Sequence, residues 1–339
     1  MPIAGFTRFR RHLVGLQASF SSNVPATRQL PYRGALVIDP ARTDPDVDVG
    51  SLDPVLAPYA GASQYTGTWE GSEAFNDAQI LWAATLKGGV TPTGGGAAKT
   101  WTFQAASLTA DDFAYLTDYW GDDQTTDEII FGSEVINQLQ LSFGDDLGAF
   151  QVNADLLGAR ARIGEGPTGG ITIDAQPNWV YGADTEFYLD STYSTIGTTK
   201  LTDAVHGMTF TVNNNLDQKR FANGSNTRFQ LAGYGRGARE ITLELVLAKT
   251  TATIAEAATL DDSPVPDRYI EVRTTSPEII TGSTPFSQSV RLPARLMSRS
   301  DGEIGGNSTI TLTYKAFYDS NLGYAVRAVV VNEQATLGA

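Results

Sequence analysis

Three stretches of the chain alternate between apolar and polar residues with a period of two. In residues 240–249, Ile241, Leu243, Leu245 and Leu247 share one side and Thr242, Glu244 and Ala248 the other, with Val246 the one breach, as in a half-buried strand. Residues 308–316 set Ile310, Leu312 and Tyr314 against Thr309, Thr311, Thr313 and Lys315. Residues 137–143 alternate likewise, and the turn Gly144-Asp145-Asp146-Leu147-Gly148 leads to a return stretch through Phe150, Val152, Ala154 and Leu156, so 135–158 is expected to be a β-hairpin. Helical patterning is confined to two short pieces. Thr109-Ala110-Asp111-Asp112 before Phe113, Leu116, Thr117 and Trp120 reads as a capped helix start, and Phe75, Ala78, Gln79, Trp82 and Leu86 make an imperfect stripe within 72–86. The expected class is mainly β, with one or two short helices packed on the sheets.

Between these stretches lie segments of another character. Residues 39–58 are rich in Asp and Pro and suit neither a central strand nor a helix, which predicts a long exposed loop. Residues 88–99 read as a Gly-rich connector. The strand–turn–strand pattern of 135–158 recurs over 203–250, where DAVHGMTFTVNNN is followed by a longer excursion and then GAREITLELVLAKT, as duplication of one β unit would leave it. The expected division is therefore a basic arm over 1–33, a first β unit over 34–165 carrying the acidic loop, and a second over 166–339.

Composition narrows the chemistry. The 339 residues are 41% hydrophobic, enough for a substantial core, and hold no Cys, which removes disulfides, thiol nucleophiles and Cys-ligated metals. No run of 18 apolar residues occurs, and the N-terminal residues lack the pattern of a signal peptide, so membrane insertion is not expected. The net charge of −14 is uneven: residues 1–38 hold Arg8, Arg10, Arg11, Arg28 and Arg33 and no acid, leaving −19 on the rest. Such an arm suits docking on an acidic sister subunit better than nucleic acid, which the acidic body repels.

Candidate motifs mostly dissolve under their own requirements. Asp44, Asp46, Asp48 and Gly50 resemble a calcium loop, but its glycine belongs one place earlier and its twelfth position, where a bidentate Glu belongs, is Val55. Gly94-Gly95-Gly96-Ala97-Ala98-Lys99-Thr100 lacks the glycine before lysine that a phosphate loop uses and runs into the strand-like Trp101-Thr102-Phe103. His12 and His206, the two histidines, lie in no metal or triad spacing. Residues 110–130 hold seven acids and no base, among them Asp118, Asp122, Asp123, Asp127 and Glu128, beside Tyr115, Tyr119 and Trp120. Two readings stand: a solvent- or lumen-facing acidic surface, or the carboxylate pair and aromatic platform of a carbohydrate-binding or hydrolytic protein. The first is preferred, and no catalytic residue, cofactor or metal is assigned.

A longer pattern carries more weight. From Phe187 to Lys249 the order is FYLD, STIGTT, a strand ending in NNNLDQKRFANG, then FQLAGYGRGARE and ITLELVLAK. It resembles the tail tube proteins of long-tailed, siphovirus-like bacteriophages, in which a strand is followed by a [GS]-T-I-G-T-T turn and a strand pair closed by an [RP]-E-x-T-L-x-L strand. Ser194–Thr199 and Arg239–Leu245 match best. Residues 135–160, closed by Arg160, and the stretch from Val290 through Ala316 are similar to further strands of that family. The likeness covers about 130–330, and 1–130 more loosely.

That resemblance implies tail-tube β-sandwich or barrel units, no enzyme activity, and a structural role in the virion tail after assembly in the host cytoplasm. Rings would stack into a conduit for genomic DNA, three chains of two units each being favoured over six single-unit chains, with the tape measure, tail terminator and tip proteins as further partners. Phe6, Arg8, Phe9, Arg10, Arg11, Asp44, Asp46 and Asp48 would make subunit or ring contacts. Asp122, Asp123, Asp127, Glu128, Asp145 and Asp146 would face the lumen. The alternative is a carbohydrate-binding or hydrolytic component of a phage tail tip or fibre.

Overall fold

The computed structural model describes residues 10–17, 20, 23–39, 42–43, 58–104, 113–121, 128–165, 171, 176–221 and 231–337. The chain begins with β1 (Arg11–Gln17), β2 (Arg28–Leu30), β3 (Arg33–Asp39), β4 (Arg42–Thr43), β5 (Tyr59–Ala60) and β6 (Gln64–Ser72), then helix α1 (Phe75–Thr85). Next come β7 (Lys99–Gln104), β8 (Tyr115–Gly121), β9 (Glu128–Phe143), β10 (Gln151–Leu157) and β11 (Arg160–Glu165). The C-terminal half has β12 (Thr185–Asp190), β13 (Val205–Asn213), β14 (Leu216–Lys219), β15 (Gly233–Arg236), β16 (Glu240–Ala248) and helix α2 (Thr251–Ala258). It ends with β17 (Asp267–Thr281), β18 (Thr284–Ile304), β19 (Asn307–Ala316) and β20 (Arg327–Asn332).

The protein is mainly β, built on one large antiparallel sheet. Its main path runs β12-β17-β18-β19-β16-β13-β9-β10-β6-β3. The hairpin expected over 135–158 is β9–β10, and the stretch 203–250 supplies β13 and β16, which pair with each other. The two hairpins lie side by side because β9 also pairs with β13, so the halves of the chain meet within one sheet.

Two long strands change partners along their length. β9 is flanked by β8 and β11 up to residue 134 and by β13 and β10 beyond it. Ser133 sits at that change with φ of 53°, its hydroxyl donating to the Phe20 carbonyl at 2.6 Å and accepting from Arg160 at 2.9 Å. β18 pairs on one side with β17 and exchanges β20 for β19 on the other between Arg291 and Ala294. Strands that bend from one sheet into another make the corners of a packed β fold.

The core fills the space these corners enclose. Trp82 of α1 meets Phe210 at 6.0 Å, Phe75 meets Phe286 at 6.0 Å, and Phe143 meets Phe187 at 6.1 Å, so aromatic contacts span both halves. Helix α1 was expected to show one apolar stripe; instead it is buried nearly all round, Gln79 included. Its polar atoms are met from the far end of the chain, Asn332 donating to the Phe75 carbonyl at 2.8 Å and to Gln79 at 2.7 Å. Asn214, from the NNN run, donates to the Thr85 carbonyl at 2.9 Å and so serves a C-terminal carbonyl that the helix cannot.

The helix expected from Thr109 is not found where the chain is described: Leu116, Thr117 and Trp120 belong to β8, between β1 and β9. β8 is buried on both faces, which erases the alternation by which a strand is read. Residues 10–17 and 23–33 are no free arm either. His12, Leu13, Val14 and Gly15 are buried in β1, and Arg28 is held by Asp77 at 2.6 Å.

Candidate functional site

The most extended chemical feature is the outer face of β6, β10, β9, β13, β16 and β19. Inward positions carry Trp69, Leu156, Leu141, Phe210, Leu243 and Leu312, all at 2% exposure or less. Outward positions form three cross-strand rows. One runs Ser72, Gln151, Ser142, Thr209, Glu244, Thr313; the next Glu70, Asn153, Gln140, Thr211, Thr242, Lys315; the third Thr68, Asp155, Gln138, Asn213, Glu240. No aromatic or large aliphatic side chain interrupts them. Opposed Thr, Gln, Asn and Ser side chains can hydrogen-bond across the ladder and to water.

Charge on this face is sparse and mainly negative. Lys315 pairs with Glu240 at 3.0 Å, and Arg33 approaches Glu70 at 3.7 Å. Asp155 and Glu244 have no cation partner among the described residues. At one end the turn between β9 and β10 exposes Asp145 and Asp146, with Gly148 N–H donating to Asp146 at 3.2 Å and Leu147 at φ of 51°. The alternation of β9, β10, β13 and β16 signals this face in the sequence, but its polar residues are dispersed where the eye is drawn to runs of acid.

The other expected positions fall differently. Glu128, expected to face a lumen, is 2% exposed, because β8 and β11 flank β9 where it begins; this corrects the expectation. Arg10 stacks over the Trp120 ring at 4.9 Å, and Arg11 is half-buried where β1 starts opposite Gly121. Phe6, Arg8, Phe9, Asp44, Asp46, Asp48, Asp122, Asp123 and Asp127 lie outside the described residues. Two members of the aromatic and acidic cluster are withdrawn from the surface. Asp118 is fully buried, accepting from Trp69 Nε1 at 2.9 Å and lying 3.5 Å from His12, while Tyr119 is buried and donates to the Val24 carbonyl at 2.5 Å.

The Thr-rich turn has a definite local job. After β12, Asp190 accepts from Gly197 N–H at 2.9 Å, Thr198 N–H at 3.2 Å, the Thr198 hydroxyl at 2.9 Å and Thr199 N–H at 3.1 Å. Burial opposes the charge on Asp190, but these hydrogen bonds outweigh it and hold its pKa below the ordinary value of 3.8. Gly197 is required twice over: its φ is 88°, and a Cβ there would collide with the Glu271 carboxylate. The motif thus folds the chain over the edge of the sheet.

Among the described residues, no group of three or more His, Asp or Glu is placed to hold a metal, and no helix is long and apolar enough to cross a membrane. No protein-family model matches the chain, and no curated protein matches it.

Proposed function

We propose that the chain is the structural subunit of a phage tail tube, assembling into stacked rings whose inner wall is the polar face of β6, β10, β9, β13, β16 and β19. The observation that carries this reading is that face itself: six strands wide, with three cross-strand rows free of large apolar groups, poor in cations and continuous across both halves. A duplex carries about one negative charge per 1.7 Å, so a wall of neutral hydrogen-bonding groups with a few acids holds water and repels phosphate without gripping it. The side-by-side hairpins β9–β10 and β13–β16 support two tube-like units per chain and hence rings of three chains.

Assembly also suits the sheet margin. β3 pairs only with β6 among the described strands, and its Val37 is 52% exposed. An edge that no other described strand pairs with invites another strand, which a neighbouring subunit in a closed ring supplies. The remaining partners follow from this role: the tape measure within the tube, and terminator and tip proteins at its ends.

Negative-stain microscopy of the concentrated chain tests the reading. Rings or tubes with threefold or pseudo-sixfold walls are expected. Dispersed particles at every concentration, or monomers that bind oligosaccharide, overturn it.

A further inference from the structure

A second face, formed by β12, β17, β18, β20 and β7, has the opposite electrostatic character. One cross-strand row reads Tyr188, Glu271, Arg291, Arg327, Gln104. Glu271 is buried and receives Arg273 at 2.9 Å and Arg291 at 3.0 Å. Arg273 is further occupied by Tyr188, over whose ring it stacks at 4.8 Å. Arg327 stands directly opposite Arg291, and like charges in that relation repel. The Nε atoms of Arg291 and Arg327 are both buried and meet no acceptor among the described residues, a costly condition for a charged donor. Tyr324 is buried beside them, and burial raises its pKa against the downward pull of Arg327 and Arg291. The nearby Asp319 is already engaged by the Tyr269 hydroxyl at 2.9 Å and by the N–H groups of Asn321 and Leu322.

We propose that Arg291 and Arg327 form a binding site for one carboxylate group, presented by an acidic side chain of a second copy of this chain. The same strands already show the mode of binding: an acceptor between Arg291 and Arg327 would do for that pair what Glu271 does for Arg273 and Arg291. A guanidinium fork matches the two oxygens of a carboxylate. The chain itself is the natural donor, with 38 acidic residues against 24 Lys and Arg, and with acids exposed on turns such as Asp145–Asp146. The inference shares with the tube reading only the premise that copies associate.

Thermal unfolding of the dilute full chain, titrated with succinate, phosphate and chloride at matched ionic strength, tests the site. Succinate is expected to give a saturable rise in melting temperature, on the order of 2 °C, beyond that in phosphate or chloride. Arg327→Gln should abolish that rise while melting at or above the wild-type temperature without ligand, and Arg327→Lys, which keeps the charge but loses the fork, should weaken it. Equal responses to the three anions, or a succinate response retained in Arg327→Gln, overturn the site. Sedimentation velocity tests the donor: Arg327→Gln should weaken self-association at least tenfold, and unchanged association overturns the second copy as the source. Failure to form tubes leaves the succinate result standing, so the two readings fail separately.

Discussion

In the N-terminal half, Glu73 and Glu134 lie buried with carboxylate oxygens that reach no donor among the described residues, one on Glu73 and both on Glu134. In the C-terminal half, Glu271 and Asp190 are as deeply buried; one oxygen of Glu271 also lacks a hydrogen bond, yet two guanidinium groups stand within ion-pair distance of it, and Asp190 faces a turn of N–H groups. Glu256, nearly buried, takes Arg268 in a two-pronged contact at 2.9 Å and the Tyr314 hydroxyl at 3.2 Å. A buried acid without a counterion is stabilised as the neutral form, whereas one met by cations or N–H donors is stabilised as the anion. Glu73 and Glu134 should therefore answer pH with the opposite sign to Asp190, and substitution of Glu134 should act with the opposite sign to substitution of Glu271.

The largest effect belongs to the uncompensated group. Burial pushes the Glu73 pKa up to about 8, against a weaker downward pull from the Gln288 hydrogen bond, and burial reinforced by Asp118 pushes Glu134 well above the ordinary value. A raised folded-state value means stability present at acid pH and lost as pH rises. For Glu73 alone the loss between pH 5 and pH 9 is roughly 4 kcal/mol, and Glu134 acts in the same direction. Urea unfolding at a series of pH values should show this fall, and Glu73→Gln should remove much of it. A flat profile for the wild type would contradict the assignment of these acids as uncompensated.

One chemical change made in both halves sharpens the contrast. Glu271→Gln strips the counterion from Arg273 and Arg291 and is expected to cost about 2–3 kcal/mol, less than a fully buried pair because both arginines are about one-third exposed. Glu134→Gln at pH 8 removes a buried group that resists ionisation and is expected to be neutral or stabilising. Equal losses from the two substitutions, measured by denaturant titration, would erase the distinction.

Asp190→Asn is the next smaller change. The lost charge-assisted hydrogen bonds to the Thr-rich turn are worth roughly 1–2 kcal/mol at neutral pH. Because the folded pKa of Asp190 is depressed, its contribution is present above the ordinary value of 3.8 and is lost as pH falls through the lower folded value. Wild type and variant should therefore converge in stability as the pH is taken below 3.8, and a gap that persists would assign the turn's stability to something other than the carboxylate.

These contrasts were only partly legible in the sequence. β16, β19 and the β9–β10 hairpin could be read because each has one wet face, and a period of two survives wherever that is so. β8 could not, since burial on both faces left Phe113, Leu116, Thr117 and Trp120 to mimic a helical stripe. α2 escaped because its eight residues expose most of their length, and its signal is local, a capping box between Thr250 and Thr253. The fates of Glu73 and Glu271 were unreadable in principle: each depends on residues far along the chain, Gln288 for the first and Arg291, beside Arg273, for the second. The Asp190 turn was visible as a motif, but the carboxylate it encloses was not.

The smallest stability effect should fall on the polar face, and there the functional reading is most exposed. Asp155 and Glu244 sit in water with no cation partner among the described residues, so Asp155→Lys and Glu244→Lys together should move stability by roughly 0.5 kcal/mol or less. Their expected consequence lies elsewhere. Each replacement exchanges a negative charge for a positive one on a surface whose proposed task is to let phosphate slide past, and copies in a ring multiply the change around the wall. Duplex DNA should then be retained by assembled tubes at low salt and released as salt is raised, the signature of phosphate contacts. Tubes that form normally and still show no salt-dependent retention would place this face outside the lumen, while leaving the opposite signs of Glu134 and Glu271 untouched.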